Sequence, residues 1–277
     1  MNWTRQSVRA SASLLFLIAI SGLGCGKVTP APPKAVSSND AISTFTLIGH
    51  TDTGRKKWEV QGETADLLGD IVQLSPVSAK SFGEVDVHLT AKEGRYRKSN
   101  QDIYLRKDVV VTTSDGMRLT TESLKWMAQQ GRASTTDWVR VTRPGMTVVG
   151  VGGVGFPKPK RVRVERKVTV AFEGKVGATV ITCDGPMEVD YKQRKARFWR
   201  NVWVQDPKGF IRSDRMDVVL EPKENQIQEA RFWGHVYVHR ENQRAYAQRA
   251  NYWGSPERTR LMGHTRLVML PQEQEHE

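Results

Sequence analysis

The sequence predicts an all-β protein, a stack of strand pairs with no long helix, and three observations carry that prediction. From Phe45 onward apolar residues alternate with period two, as in Val85-Asp86-Val87-His88-Leu89, Arg161-Val162-Arg163-Val164 and Val202-Trp203-Val204, the pattern of strands with one buried face. Turn sequences punctuate the alternation at Ser114-Asp115-Gly116, Arg143-Pro144-Gly145, Asp206-Pro207-Lys208-Gly209 and Arg240-Glu241-Asn242. A unit x-x-Val-x-Val also recurs, with anchors at 109, 139, 168, 202, 236 and 265, spaced 30, 29, 34, 34 and 29 residues apart. Several steps hold a hairpin turn followed by a second strand, as at 117–126, 210–219 and 245–253, and two strands per step make a stacked β-architecture.

The N-terminus reads differently. Arg5 and Arg9 precede an apolar run over 14–20 and small residues up to Gly24, the order of a secretory signal, so 1–24 is expected to be a signal peptide. The run is shorter than the roughly 20 apolar residues of a bilayer-spanning helix. Cys25 follows the small residues as in a bacterial lipoprotein signal and is expected to be lipidated, tying the chain to a membrane through acyl chains. Residues 25–41, with Pro30, Pro32 and Pro33, lack any apolar period and read as a flexible linker. After Cys25 only Cys183 remains, which is expected to be a buried small hydrophobe and leaves no intramolecular disulfide in the mature chain. With 42 Lys+Arg against 30 Asp+Glu, the chain suits an anionic partner or surface.

The strands themselves carry the candidate site. On the alternation rule Leu105, Val109 and Val111 share one face, as do Phe198, Val202 and Val204, and Phe232, Val236 and Val238. A stack buries little unless such a face closes on itself or on a ligand, so an elongated open β-groove is the expected product. Trp199, Trp203, Trp233 and Tyr237 alternate onto the opposite face, under a neighbouring strand, a partner protein or the side chains of Arg197 and Arg231.

Several chemistries are set aside. Gly150-Val151-Gly152-Gly153-Val154-Gly155 fits G-x-G-x-x-G by letter, but Phe156-Pro157-Lys158-Pro159 follows where a dinucleotide site needs a helix. His235 and His239 lie on one strand with no third ligand of suitable spacing, and no nucleophile elbow occurs. No enzyme activity, metal or cofactor is expected. Lys192, Arg194, Lys195, Arg197 and Arg200 interleave with Tyr191, Phe198 and Trp199 like a single-stranded nucleic-acid platform. Export argues against nucleic acid, and that reading leads only if the chain stays in the cytoplasm.

The residues resemble the periplasmic lipopolysaccharide-export proteins of the LptC/LptA (OstA-like) family. Residues 42–172 look like LptC through Gly54-x3-Trp58-x-Val60, Ile103-Tyr104-Leu105-x3-Val109-x-Val111-x3-Asp115-Gly116-x-x-Leu119-x-Thr121-Glu122-x-Leu124-x-Trp126 and Gly150-Val151-Gly152. Residues 173–277 look like LptA through Phe198-x3-Val202-x-Val204, Ile211-x-Ser213-Asp214-x-Met216, Phe232-x-Gly234-x-Val236-x-Val238, Ala247-x3-Ala250-x-Tyr252 and Leu261-x-Gly263. Two departures stand out: Arg200 where the pattern usually has Gly, and Thr265 where it usually has an aliphatic residue. The resemblance implies two tandem twisted β-jellyroll units stacked into an elongated groove that holds the acyl chains of lipopolysaccharide. It also implies edge-to-edge joining with other Lpt jellyroll proteins, driven by an inner-membrane ABC transporter, with docking edges near 45–48 and 265–269. Location in the periplasm follows, with the anchor in the inner membrane by family role.

The three apolar strips are then the lipid site, recognised by area at roughly 25 cal/mol per Å². Arg194, Lys195, Arg197 and Arg200 are candidates for the anionic headgroup, because guanidinium binds phosphate bidentately. The competing reading is an envelope scaffold lipoprotein that binds only protein partners through a fully packed sandwich.

Overall fold

The computed structural model describes residues 40–50, 53–157, 160–174, 177–221 and 227–269, all within one compact unit. They form a single sheet of eighteen strands, antiparallel at each pairing, with no helix among them. The signal, Cys25 and nearly all of the linker lie outside the described residues. The chain lays down β1 (Asp40–His50), β2 (Lys56–Leu68) and β3 (Ile71–Ser81), then a split rung of β4 (Val87–Ala91) and β5 (Glu93–Arg97). Next come β6 (Ile103–Thr113), β7 (Arg118–Met127), β8 (Arg132–Arg143), β9 (Met146–Phe156) and β10 (Arg161–Gly174), followed by a second split rung, β11 (Gly177–Cys183) and β12 (Met187–Asp190). The last are β13 (Lys195–Asp206), β14 (Gly209–Leu220), β15 (Ile227–Arg240), β16 (Gln243–Gly254) and the split pair β17 (Glu257–Met262) and β18 (Arg266–Met269).

Each strand or split rung pairs with the next in the chain, and the two halves of an internal split rung share both neighbours. The sheet runs without a break past residues 172 and 173, because β10 pairs with β9 on one side and with β11 and β12 on the other.

A line of irregularities crosses the strands. Register shifts fall between Arg106 and Val109, Thr135 and Trp138, Arg166 and Thr169, Trp199 and Val202, Arg212 and Arg215, and Trp233 and Val236. The gaps of the split rungs continue that line: the Lys92 amide donates to the Lys107 carbonyl, Lys167 to Asp184, Asp184 to Arg200, and Gln248 to Gly263. The backbone there is left-handed, with φ of 62° and 55° at Lys107 and Asp108, 63° and 53° at Arg200 and Asn201, 74° and 44° at Gly234 and His235, and 76° and 43° at Gly263 and His264. These are the two residues ahead of four of the six anchors in the repeating x-x-Val-x-Val unit, and Lys167, with φ of 51°, stands alone ahead of a fifth. The repeat thus marks the irregularity at each of these steps. Bulges bend a strand and raise its twist, and stacked in register they crease the sheet into two wings. The glycine-rich run Gly150–Gly155 belongs to β9, where a Cβ on Gly150 would stand 2.4 Å from a Val164 methyl; it serves close strand packing.

Four of the six anchors are among the most buried side chains: Val109, Val168, Val202 and Val236 are at most 1% exposed, as is Met216 on β14, whereas Val139 is 5% exposed and Thr265 lies exposed near the far edge. Val77, Ala91, Leu105 and Val109 form one cluster, and the core from Val139 to Ala250 a second. Strand β7 touches both, through Leu124 and Leu119 respectively.

Candidate functional site

Cross-strand partners share a face, so the registers trace which side chains line up along the sheet. On one wing the row runs Val60, Ala79, Leu89, Val111, Leu119, Val141, Val148, Val170, Ile181, Val204, Ile211, Val238, Ala245 and Leu267. On the other it runs Leu74, Gly94, Leu105 and Leu124, and further along Gly153, Val164, Met187, Phe198, Met216, Phe232, Ala250 and Leu261. The anchor valines lie between the rows. Long strands such as β13 and β15 contribute one position to each row, and the halves of a split rung one apiece, because period two is kept on each side of each bulge.

The nine sequence-predicted groove residues are thus placed on one face of one sheet. Leu105, Phe198 and Phe232 belong to one row, Val111, Val204 and Val238 to the other, and Val109, Val202 and Val236 to the crease. Their burial differs by place. The first and last groups are at most 3% exposed, whereas Val111, Val204 and Val238 are half-buried. At the far edge the face is open: Leu267 is 55% and Met269 69% exposed.

The opposite face carries the aromatic residues. Trp203 stacks on Phe210 at 4.4 Å, Phe210 meets Tyr237 edge-on at 5.6 Å, and Tyr237 lies 4.9 Å from Tyr246. Arginine guanidiniums cover them, but not through Arg197 or Arg231, the two that sequence reasoning offered. Arg212 lies over Trp203, and Arg215 over both Trp199 and Trp233, since β14 runs between β13 and β15. Arg231 instead pairs with Glu229 at 2.8 Å and Arg197 approaches Asp217 at 4.0 Å.

Of the four headgroup candidates, Lys195 and Arg197 alternate onto this aromatic face, away from Phe198. Arg194 is in the turn before β13, and Arg200 sits in the crease, its Nε donating to the Gly185 carbonyl at 2.6 Å. The structure does not bring the four together. His235 Nδ1 lies 2.8 Å from Asp214 in the crease, and His239 packs edge-on against Phe210. Cys183 is buried beside the anchors, and burial pushes its thiol up to about 11.

Sequence reasoning missed the rim. Three of the apolar alternations end in a charged residue at the wing tip: Asp206 follows Val202 and Val204, Arg240 follows Val236 and Val238, and Arg143 follows Val139 and Val141. These tips meet residues of the other wing. Lys208 Nζ is 2.8 Å and Arg240 Nη1 3.2 Å from the Glu257 carboxylate, and Arg240 Nη2 is 3.4 Å from Asp206. Half-buried Tyr252 stands beside them, its hydroxyl pushed up by burial and then by Glu257. Further along, Arg143 lies over the Tyr191 ring at 5.1 Å and binds Asp115 at 3.3 Å. The polar ends of the alternation were the available signal; the pairing of residues 49 apart was not.

The two rows present a long, apolar surface, a chemistry that selects by area. Two shallow concavities lie on the crease, one lined by Trp138, Lys167, Val168, Cys183, Asp184 and Asn201 and the other by Thr136, Arg163, Glu165, Pro186 and Arg200. No described group of three or more His, Cys, Asp or Glu side chains could hold a metal ion.

Comparison with known proteins agrees with this geometry. Residues 78–173 match the family model for lipopolysaccharide-assembly, LptC-related proteins, and residues 184–276 match that of the LptA/(LptD N-terminal domain) LPS transport proteins. No curated protein matches the chain. The two families indicate a role in lipopolysaccharide transport, and the chain is an LptC-like unit fused to an LptA-like unit.

Proposed function

We propose that this chain binds lipopolysaccharide by its acyl chains and passes it along the two-row interior, as a component of a periplasmic bridge between inner and outer membranes. The observation that carries this reading is the continuity of the rows. The row from Val60 to Leu267 runs unbroken from β2 to β18, and the second row, resuming at Gly153 on β9, crosses from the LptC-like to the LptA-like segment without interruption as far as Leu261, so a lipid bound in one segment meets the same surface in the next. We divide the two units at 172/173, place the tether at 25–41 and the anchor at a lipidated Cys25, and favour the inner membrane. Exposed Leu267 and Met269 on the terminal edge would continue the rows into another jellyroll protein joined strand to strand. The protein acts as a carrier without catalytic groups, and the work comes from an inner-membrane ABC transporter.

The tightly packed anchors favour the second reading, a scaffold that binds only proteins. The half-buried row of Val111, Val204 and Val238 supports the carrier, because those side chains keep apolar area for a ligand. Native mass spectrometry of the exported protein incubated with lipopolysaccharide separates the two. The carrier retains lipid, and Val204→Asp with Val238→Asp loses it while remaining folded by circular dichroism; a parent chain that retains none is a scaffold.

A further inference from the structure

We infer that Lys208 and Arg240 form a phosphate-binding site at the rim of the interior, and that Glu257 occupies it when no ligand is bound. The inference rests on the carrier reading and names the headgroup contact of the same site. Three observations carry it. Lys208 and Arg240 come from the tips of β13–β14 and β15 on one wing, and Glu257 begins β17 on the other. Both cations converge on the single carboxylate, at 2.8 and 3.2 Å, one on each oxygen. Phosphate oxygens accept the same charge-assisted hydrogen bonds from Lys and Arg as this carboxylate does, and a phosphate monoester brings about −1.5 to −2 charge against one for Glu257. The cluster is half-exposed, with Lys208 41% and Glu257 42% accessible, so a ligand reaches it without unfolding.

Position links it to the acyl site. Arg240 continues the alternation of Val236 and Val238, and Glu257 shares its face with Leu261 of the other row, so a phosphate here sits directly above acyl chains laid along the rows. Asp206, 3.4 Å from Arg240, holds the guanidinium in place and leaves one net positive charge once Glu257 is displaced. The ligand class is a phosphorylated, multiply acylated amphiphile. Its phosphate replaces Glu257 on the two cations and frees the contact between the wings, so loading and opening are one event. The sequence-predicted cations Lys195 and Arg197 face away from the rows and cannot make this contact from the same lipid.

The test compares full-length chain, Glu257→Gln and Lys208→Ala/Arg240→Ala for binding of bisphosphorylated lipid A, the same lipid after enzymatic dephosphorylation, and inorganic phosphate. Removing the internal competitor is expected to tighten binding of the phosphorylated lipid about tenfold, and removing the cations to weaken it by a similar factor, the scale of a charge-assisted hydrogen bond. The dephosphorylated lipid is expected to bind all three proteins alike, and inorganic phosphate to compete only at millimolar concentration. Phosphorylated and dephosphorylated lipids bound equally by all three proteins would overturn the site and leave the carrier intact. Binding of neither lipid to the parent would overturn the carrier reading beneath it. Tight binding of inorganic phosphate alone would make this a phosphate site unrelated to lipid and overturn the inference.

Discussion

Replacing Gly234 with alanine tests whether the repeat is a crease. Gly234 has φ of 74°, and a left-handed conformation costs a residue with a Cβ about 1–2 kcal/mol. The added methyl would stand 2.1 Å from Asp214 Oδ2, 2.8 Å from its Cγ and 3.0 Å from its Cβ. The Asp214 side chain must then turn away from its 2.8 Å contact with His235 Nδ1. Because His235 is almost fully exposed, that contact contributes little, and the steric and backbone costs together come to roughly 2–3 kcal/mol. The equivalent position 200 gives the control. Arg200 already pays for φ of 63°, and Arg200→Gly relieves that strain but gives up the hydrogen bond to the Gly185 carbonyl, so the two effects nearly cancel within about 1 kcal/mol. Urea denaturation followed by tryptophan fluorescence reads both. A Gly234→Ala midpoint indistinguishable from that of the parent would show that the bulge is a relaxed feature and not a specified bend.

Four further outcomes follow from the same contacts. Met216→Ala empties a fully buried site between Phe198 and Phe232 and is expected to cost about 2–5 kcal/mol by calorimetry. The Cys183 thiol, pushed up to about 11, is expected to react with Ellman's reagent at pH 8 only after denaturation, in a Cys25→Ser background. Glu257 is held below its ordinary 4.5 first by Lys208, against burial, and then by Arg240; a lowered folded value means the rim contact is intact above the ordinary value and is lost as pH falls through the lowered one. Acid titration with spin labels at Glu241→Cys and Ser255→Cys is therefore expected to show the wings separating only below about 4.5, and separation beginning near neutrality would refute it. Leu267→Lys with Met269→Lys removes exposed apolar area at the edge and is expected to reduce end-to-end association in ultracentrifugation while leaving the melting temperature unchanged.

Much of this was legible in the sequence, at the level where period two speaks. The strands, the turns at Ser114-Asp115-Gly116 and Asp206-Pro207-Lys208-Gly209, and the apolar strips of the anchor repeat all follow from alternation. What the repeat does was not legible, because only Gly234 and Gly263 advertise a left-handed backbone outright; Asp108 and Asn201 tolerate it but are common in turns and loops generally, and Lys107 and Arg200 give no such signal. Arg200 looked like a departure from the family pattern and a headgroup ligand. It instead occupies the glycine-like bulge position and spends its guanidinium on a backbone carbonyl. The aromatic face shows a similar gap: a covering arginine was foreseen, but which one depended on β14 lying between β13 and β15, a matter of strand neighbours and not of sequence spacing. The rim failed for the same reason, since Lys208 and Glu257 meet only when the sheet is creased.

The central claim is that the two rows hold acyl chains, and site-specific photocrosslinking to lipopolysaccharide tests it most directly. A photoreactive residue would be placed in turn at Val111, Val204 and Val238 in the rows, at Val109, Val202 and Val236 in the crease, and at Trp203 on the opposite face. The account predicts adducts along both the LptC-like and LptA-like segments at row positions, strongest at half-buried Val111, Val204 and Val238, and none at Trp203. Adducts at Trp203 equal to those at Val238, or none in either segment, would contradict it.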